Sequence, residues 1–370
     1  MDLTTVDKII QNARSRGLFP GAALGIITPD GKRLSRYYGR HTFTPWSREV
    51  DDNSLFDLAS LTKPLCTALA CAYLVDQKKL SLDETLDSFF PSCPKDKKAI
   101  TITHLLTHSS GLEAWTPIYV SLKDKSPHQG AGHDAACKII LEKPLAYKPG
   151  QKSLYSDLGF ILLGRIVAMV SGMELWELTS RHIYGPLGLS SITSPPRTLE
   201  NLEQFVPTGF CPHRKRVTWG SVNDLNAWKI GGVPGHAGLF SSLSHLIGLL
   251  GGILEAFFKK EHDFPISHDT LSRFLTYRSQ TPDIPWALGL DRPSPKGSTC
   301  GSHFSPNSLG HLGYTGTSFW MDLDRRLCVI FLCARTFPFD TEEGRARMKS
   351  FRIELHNGVM AALLNLPTSQ

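Results

Sequence analysis

The sequence predicts an α+β fold: one antiparallel sheet built from the N- and C-terminal segments and flanked by helices, with a mostly helical stretch inserted between them. Three observations carry this expectation. An apolar run over residues 22–28 is followed by the turn Pro29-Asp30-Gly31 and by the alternating segment 33–38, so a strand pair opens the chain. Two further apolar runs, 317–323 and 327–334, bracket Asp324-Arg325-Arg326 near the other end and read as a hairpin. Between these pairs the strongest apolar stretches are long and helical.

In chain order, Val6, Ile9, Ile10 and Ala13 recur at helical spacing, and Gly17 stops that first helix. Residues 62–75 form a strong apolar helix, and Ser81-Leu82-Asp83-Glu84 has the form of a capping box for the next one. Clear helices follow over 158–170, 174–184 and about 243–258, and a last one over about 341–363. No repeat, low-complexity tract or linker divides the chain. The expected organisation is therefore a sheet subdomain of residues 1–79 and 285–370, a helical insertion of residues 80–284, and a functional site where the two meet.

Composition narrows the class. With 370 residues, 41% hydrophobic and 20% charged, the chain is an ordinary globular one, which excludes disorder, collagen and coiled coil. The net charge of +6 is modest; Lys95-Asp96-Lys97-Lys98 and His213-Arg214-Lys215-Arg216 are short, lie among turn residues and lack interleaved aromatics, so no nucleic-acid partner is expected. The eight cysteines (66, 71, 93, 137, 211, 300, 328 and 333) show neither a CxxC pair nor Cys/His ligand spacing, so no structural zinc is expected. Several lie in apolar runs as small hydrophobes, a usage that fits a reducing compartment. The first seven residues have no leader pattern, and the most apolar stretches, 246–258 and 327–334, are too short to cross a bilayer. The expectation is a chain without a transmembrane segment, cytoplasmic as it stands and periplasmic or extracellular if a leader was removed; oligomeric state is left open.

The first chemical candidate is Ser60-Leu61-Thr62-Lys63. Residues three apart share one helix face, so the lysine amine reaches the serine hydroxyl. Pro64 is harmless only in a first turn, which starts the helix at about Ser60 and sets the hydroxyl at the positive end of the helix dipole. Ser92-Cys93-Pro94-Lys95 has the same spacing but sits among prolines, with no helix to hold it.

Other segments turn this into a pattern. The nucleophile segment Phe56-Asp57-Leu58-Ala59-Ser60-Leu61-Thr62-Lys63-Pro64 is followed by Ile102-Thr103-His104-Leu105-Leu106-Thr107-His108-Ser109-Ser110-Gly111-Leu112. Then come Tyr155-Ser156-Asp157, Gly235-His236-Ala237-Gly238-Leu239-Phe240-Ser241 and Gly310-His311-Leu312-Gly313-Tyr314-Thr315-Gly316-Thr317. Together and in this order they resemble the serine β-lactamase and penicillin-binding-protein family, in particular its class C branch with the related esterases and D-peptidases. The resemblance implies that fold, no cofactor or metal, a small-molecule or peptide substrate, and Lys63 and Tyr155 both close to Ser60. It also implies an oxyanion hole from the main-chain N–H groups of Ser60 and Tyr314, the latter following His311-Leu312-Gly313. A serine hydroxyl needs a nearby base before it attacks, and Lys63 and Tyr155 are the candidates.

Two departures from the family pattern bear on mechanism. Asp157 stands where asparagine is usual, and a carboxylate near Lys63 favours the ammonium form. Lys63 is then a charged stabiliser and Tyr155 the working base. His311 stands where β-lactamases carry lysine; a histidine loses its charge near neutrality and anchors a carboxylate poorly, which ranks β-lactams below esters and peptides as substrates.

The leading function is hydrolysis of an ester, amide or D-amino-acid peptide bond through an acyl-serine. The alternatives are a β-lactamase or penicillin-binding D,D-peptidase, an acyltransferase working through the same intermediate, and a non-catalytic scaffold. A scaffold would be expected to have lost Ser60, Lys63 or Tyr155, and all three are present. His104 and His108 sit four apart, as metal ligands can, but no third ligand is evident and capping or packing is the simpler role. His236, between glycines, is expected to shape a loop near the cleft. Trp176, Trp228, Trp286 and Trp320 are expected in the core or cleft wall. Neither a G-x-S-x-G elbow nor a phosphate-binding glycine loop is present.

Overall fold

Seven uncharged residues, Gly21–Ile27, form strand β1, buried along its whole length. It belongs to a five-stranded antiparallel sheet with Arg33–Gly39 (β2), Leu309–Leu312 (β3), Ser318–Asp322 (β4) and Leu327–Cys333 (β5), in the order β2-β1-β5-β4-β3. Ile27 of β1 faces Arg33 of β2 on one side and Cys328 of β5 on the other, so the two ends of the chain meet at the centre of the sheet. This computed structural model describes residues 2–122, 131–196, 200–281 and 283–366.

Alternate residues of β1 serve two cores. Ala22, Leu24 and Ile26, with Val329 and Phe331 of β5, pack with the apolar residues of the terminal helices Thr4–Ser15 and Glu342–Leu364. Ala23 and Ile27, with Ile330 and Leu332, join the larger cluster that includes the helix Leu243–Phe258. That helix passes so close to the sheet that a Cβ at Gly25 would lie 2.9 Å from Leu243 Cδ1, which is why β1 carries a glycine there.

The expected helix over 62–75 is present in three parts: a 3₁₀ turn, Ala59–Leu61, a wide π turn, Lys63–Ala68, and a regular helix, Leu69–Asp76. Two features coincide with the wide turn. Pro64 supplies no N–H, and the Tyr184 hydroxyl donates to Leu65 O at 2.7 Å, competing for a helical acceptor. The capping box expected at Ser81 is corrected by the structure. Ser81 N–H donates to Glu84 Oε2 at 3.3 Å, but Thr85 is extended and bridges Thr101, so the motif closes a turn ahead of a four-residue helix, Leu86–Phe89. The working capping box is at Thr101, whose hydroxyl accepts from His104 N–H at 3.2 Å while His104 Nδ1 accepts from Thr101 N–H at 3.1 Å.

A two-stranded pair positions the site: Phe56–Asp57 runs antiparallel to Phe240–Ser241, tying the segment before Ser60 to the one that follows His236. Segment 114–137 carries the helix Ile118–Ser121 and the start of Ala131–Glu142, and segment 195–219 carries the hairpin Gly209–Cys211 with Arg216–Thr218. Their residues 123–130 and 197–199 lie outside the described residues. Among the described residues no single helix is long and apolar enough to cross a membrane.

Candidate active site

The nucleophile turn is held from below. Leu58 N–H donates to Leu239 O at 2.9 Å. Ala59 takes a positive φ of 47°, and its N–H donates to Asp57 Oδ1 at 2.8 Å. Thr62 Oγ1 donates to Ala59 O at 2.7 Å and accepts from Leu239 N–H at 3.1 Å. Ser60 therefore heads the helical run, at the end where backbone N–H groups favour negative charge. Asp57, fully buried, also accepts from Asn223 N–H at 2.6 Å. Burial, and more weakly the Asp224 carboxylate, raise its pKa to about 6 against the lowering effect of those two bonds.

Lys63 lies one turn on, with its side chain inaccessible to solvent. Its Nζ donates to Ser60 Oγ and to His236 O, both at 3.0 Å, and lies 2.7 Å from Asp157 Oδ1. The Asp157 contact is an ion pair between two largely buried side chains. Asp157 is the first residue of the helix Asp157–Ser171, capped by Ser156, and Tyr155 immediately precedes the cap. The Tyr155 ring lies beside this pair, with Lys63 Nζ 5.0 Å from its centroid, and the Lys63 and Ser60 side chains both act to lower the pKa of its hydroxyl. Burial alone would lower the Lys63 pKa, but the Asp157 carboxylate and Tyr155 outweigh it and hold the amine above the ordinary lysine value, as an ammonium. Burial first, then the Asp157 carboxylate, raise Tyr155 as well, with Lys63 opposing.

The opposite wall is the turn after β3. Gly313 N–H donates to Thr317 O at 2.8 Å, Thr315 Oγ1 to Asp57 O at 2.8 Å and Thr317 Oγ1 to Leu58 O at 3.2 Å, fixing residues 313–317 against the two residues before Ala59. A Cβ at position 313 would overlap Thr317 Oγ1 and Leu58 O, so the close approach requires glycine. His311 Nδ1 bonds Leu312 O at 2.9 Å; a carbonyl only accepts, so Nδ1 carries the hydrogen and Nε2 is a bare acceptor. Burial, then the Lys63 ammonium, push His311 down to about 3, well below the near-neutral titration expected from sequence.

The structure gathers Ser60, Asp157 and the Tyr155 ring around the Lys63 amine and sets the His311 ring 5.9 Å from that of Tyr155. His236 contributes its carbonyl rather than its ring: Nε2 pairs with Asp224 Oδ1 at 2.8 Å, and Asp224 caps the helix Leu225–Ile230. The Tyr314 side chain turns away to Asp340 and Arg345, which leaves only its main chain for the site. His104 and His108 do not share a helix face: the helix Ile102–Leu106 ends between them, and His108 takes a φ of 55°. No three His, Cys, Asp or Glu side chains are grouped to hold a metal ion among the described residues.

His108 is instead part of the site, unforeseen as such. Its Nδ1 accepts from Ser156 N–H at 3.0 Å, and its ring lies 4.5 Å from those of Tyr155 and Trp286. Trp286 also meets His311 and so lines the cleft. Asp57 was visible inside the nucleophile segment as a carboxylate three residues before the serine; Arg352, which holds the 313–317 turn from the last helix, carried no sequence signal.

The sequence profile described as Beta-lactamase matches residues 6–351. The chain is 30% identical to N-acetylmuramyl-L-alanine amidase of Bacillus subtilis (strain 168) over 373 aligned positions, which is 92% of this chain and 83% of that one. A class C beta-lactamase superposes with a TM-score of 0.74 at 18% identity, over 100% of this chain and 97% of the other. D-alanine carboxypeptidase AmpC from Burkholderia cenocepacia does so at 0.69 and 16%, over 94% and 97%.

Proposed function

Because the chain belongs to the beta-lactamase family, we propose that it is a serine hydrolase that opens an amide or D-amino-acid peptide bond through an acyl-enzyme on Ser60. The observation that carries this reading is one lysine nitrogen, 3.0 Å from Ser60 Oγ, fixed from behind by His236 O and Asp157. The amidase relative, similar along nearly the whole chain, supports an amide as the bond cleaved.

Lys63, an ammonium, donates to Ser60 Oγ and so leaves the serine's own hydrogen for Tyr155. The Tyr155 phenolate, a minority form near neutrality but a correspondingly strong base, takes that hydrogen as Oγ attacks the carbonyl carbon. The N–H groups of Ser60 and Tyr314 hold the resulting oxyanion. Collapse breaks the C–N bond, the leaving amine takes the proton back from Tyr155, and the acyl group stays on Ser60. Water then attacks the ester, giving its proton to Tyr155, and Ser60 recovers a proton as the acid departs. A neutral His311 gives a substrate carboxylate no charge partner, which favours substrates without one at that position.

Intact-mass spectrometry with a fluorophosphonate and with a penicillin, on the wild type and Ser60→Ala, tests the reading. We expect one fluorophosphonate adduct that vanishes in Ser60→Ala, slower acylation by penicillin, and release of the amine from a muramyl-L-alanine amide ahead of a D-alanyl-D-alanine peptide, whose terminal carboxylate the neutral His311 does not pair. An adduct that persists in Ser60→Ala, or no adduct on the folded wild type, overturns it.

A further inference from the structure

We infer that Arg352, a buried guanidinium on the last helix, strengthens the Tyr314 N–H as an oxyanion donor by polarising the Gly313–Tyr314 peptide bond. The inference rests on the reading above, in which that N–H faces the oxyanion. Arg352 Nη2 donates to Gly313 O and to Thr317 O, both at 2.9 Å. Gly313 O and the Tyr314 nitrogen are two ends of one conjugated peptide group. A cationic donor on the oxygen draws electron density from the nitrogen, which makes the N–H at the other end a stronger donor, as in any polarised chain of hydrogen bonds.

Two observations favour this role over a merely structural one. The 313–317 turn is already held by Gly313 N–H on Thr317 O and by the hydroxyls of Thr315 and Thr317 on Asp57 O and Leu58 O, so no cation is required to shape it. Arg352 is also expensive where it stands. It is 8% exposed, its Nε has no partner, and no carboxylate pairs with it among the described residues; the ionisable groups that interact with it include Cys333, a second cation, Arg335, and the buried histidines His311 and His356. Burial lowers its pKa only to about 10, so it keeps its charge at neutral pH. An unpaired buried cation weakens a fold that an apolar side chain of similar size would fill, and here its positive charge is aimed at the peptide that serves the site. Arg352 touches no reacting atom; it is a positioning residue that works through main chain.

The test uses the full chain with an activated aryl ester and its thionoester, because sulfur is a weak acceptor and gains little from an oxyanion hole. In Arg352→Gln, which can still donate a hydrogen bond but has no charge, we expect kcat for the oxygen ester to fall about tenfold, a fraction of what deleting a whole oxyanion donor costs. KM should stay within about twofold, and the preference for oxygen over sulfur should shrink by the same factor of about ten. Arg352→Lys keeps the charge and should keep that preference within about threefold of wild type. Equal losses on both esters, or no loss, overturn the inference. Should the Gln variant not fold, a collapsed preference in a folded Lys variant overturns it as well. If the wild type itself shows no oxygen preference or no Ser60 adduct, the parent reading has failed, and that result is distinct from an Arg352 effect on a working hydrolase.

Discussion

At the scale of single residues, Asp157 governs the protons of the site. Its carboxylate raises the proton affinity of both Lys63 and Tyr155, the two groups able to take the hydrogen of Ser60. Replacing it by the neutral isostere releases both in the same direction. Asp157→Asn should therefore move the ascending limb of the pH profile of kcat/KM to lower pH, by about one unit or more, whichever of the two is the base. A limb that stays in place shows that neither takes the proton. Tyr155→Phe separates them: if the phenolate is the base, kcat should fall by about two to four orders of magnitude while KM changes little, and the fluorophosphonate adduct at Ser60 should form correspondingly slowly. His311 adds no limb between pH 5 and 8, since it is neutral down to about 3. The sequence showed that the residue was histidine; only its burial beside Lys63 shows how far it is from carrying charge.

At the scale of elements, the segment from Phe56 to the end of the wide turn is a support with a serine at its tip. Asp57 receives two backbone N–H groups, and its folded pKa of about 6 exceeds the 3.8 of a free carboxyl. Between those values the folded chain binds the proton that the unfolded chain releases, so this residue's contribution to stability falls as pH rises from about 4 to about 6 and is constant above. In urea unfolding from pH 4 to 7, the stability of the wild type should fall relative to that of Asp57→Asn by about 3 kcal/mol across the interval, a difference that isolates Asp57 from the other groups titrating there. Parallel curves for the two proteins would remove Asp57 from that account. The regular parts of this element and of its neighbours were legible because hydrophobic period reports burial: both hairpins and the helices Asp157–Ser171 and Leu243–Phe258 stand within a residue or so of their expected bounds. What the period could not report is how side chains from distant segments act on a backbone. The Tyr184 hydroxyl on Leu65 O, the recruitment of His108 by Ser156 N–H and the grip of Arg352 on Gly313 O are all of that kind. The false capping box at Ser81 failed for the converse reason, since a local motif was present but the bridge from Thr85 to Thr101 drew the chain out of helix.

At the scale of the whole molecule, strand order joins what the chain separates. β5 lies between β1 and β4, so the sheet cannot close before both ends of the chain are in place. The joint is aromatic: the Phe331 ring of β5 lies 5.5 Å from Phe19, just ahead of β1, and 5.1 Å from Phe351 in the last helix. Phe351 is the residue next to Arg352, so this cluster also fixes the guanidinium beneath the Gly313–Tyr314 peptide. Phe331→Ala empties a fully buried site among three elements and should cost about 3–5 kcal/mol. That loss has a diagnostic form. If the sheet and the helical stretch between its strands unfold together, the urea transitions followed by circular dichroism and by ester hydrolysis should shift down by the same amount with an unchanged slope. If the helical stretch stands alone, hydrolysis should vanish at the lower urea concentration while most helical signal persists to the wild-type midpoint. The bonds that cross between them, Leu58 N–H to Leu239 O and Lys63 Nζ to His236 O, lie at the nucleophile itself, and they favour the single transition.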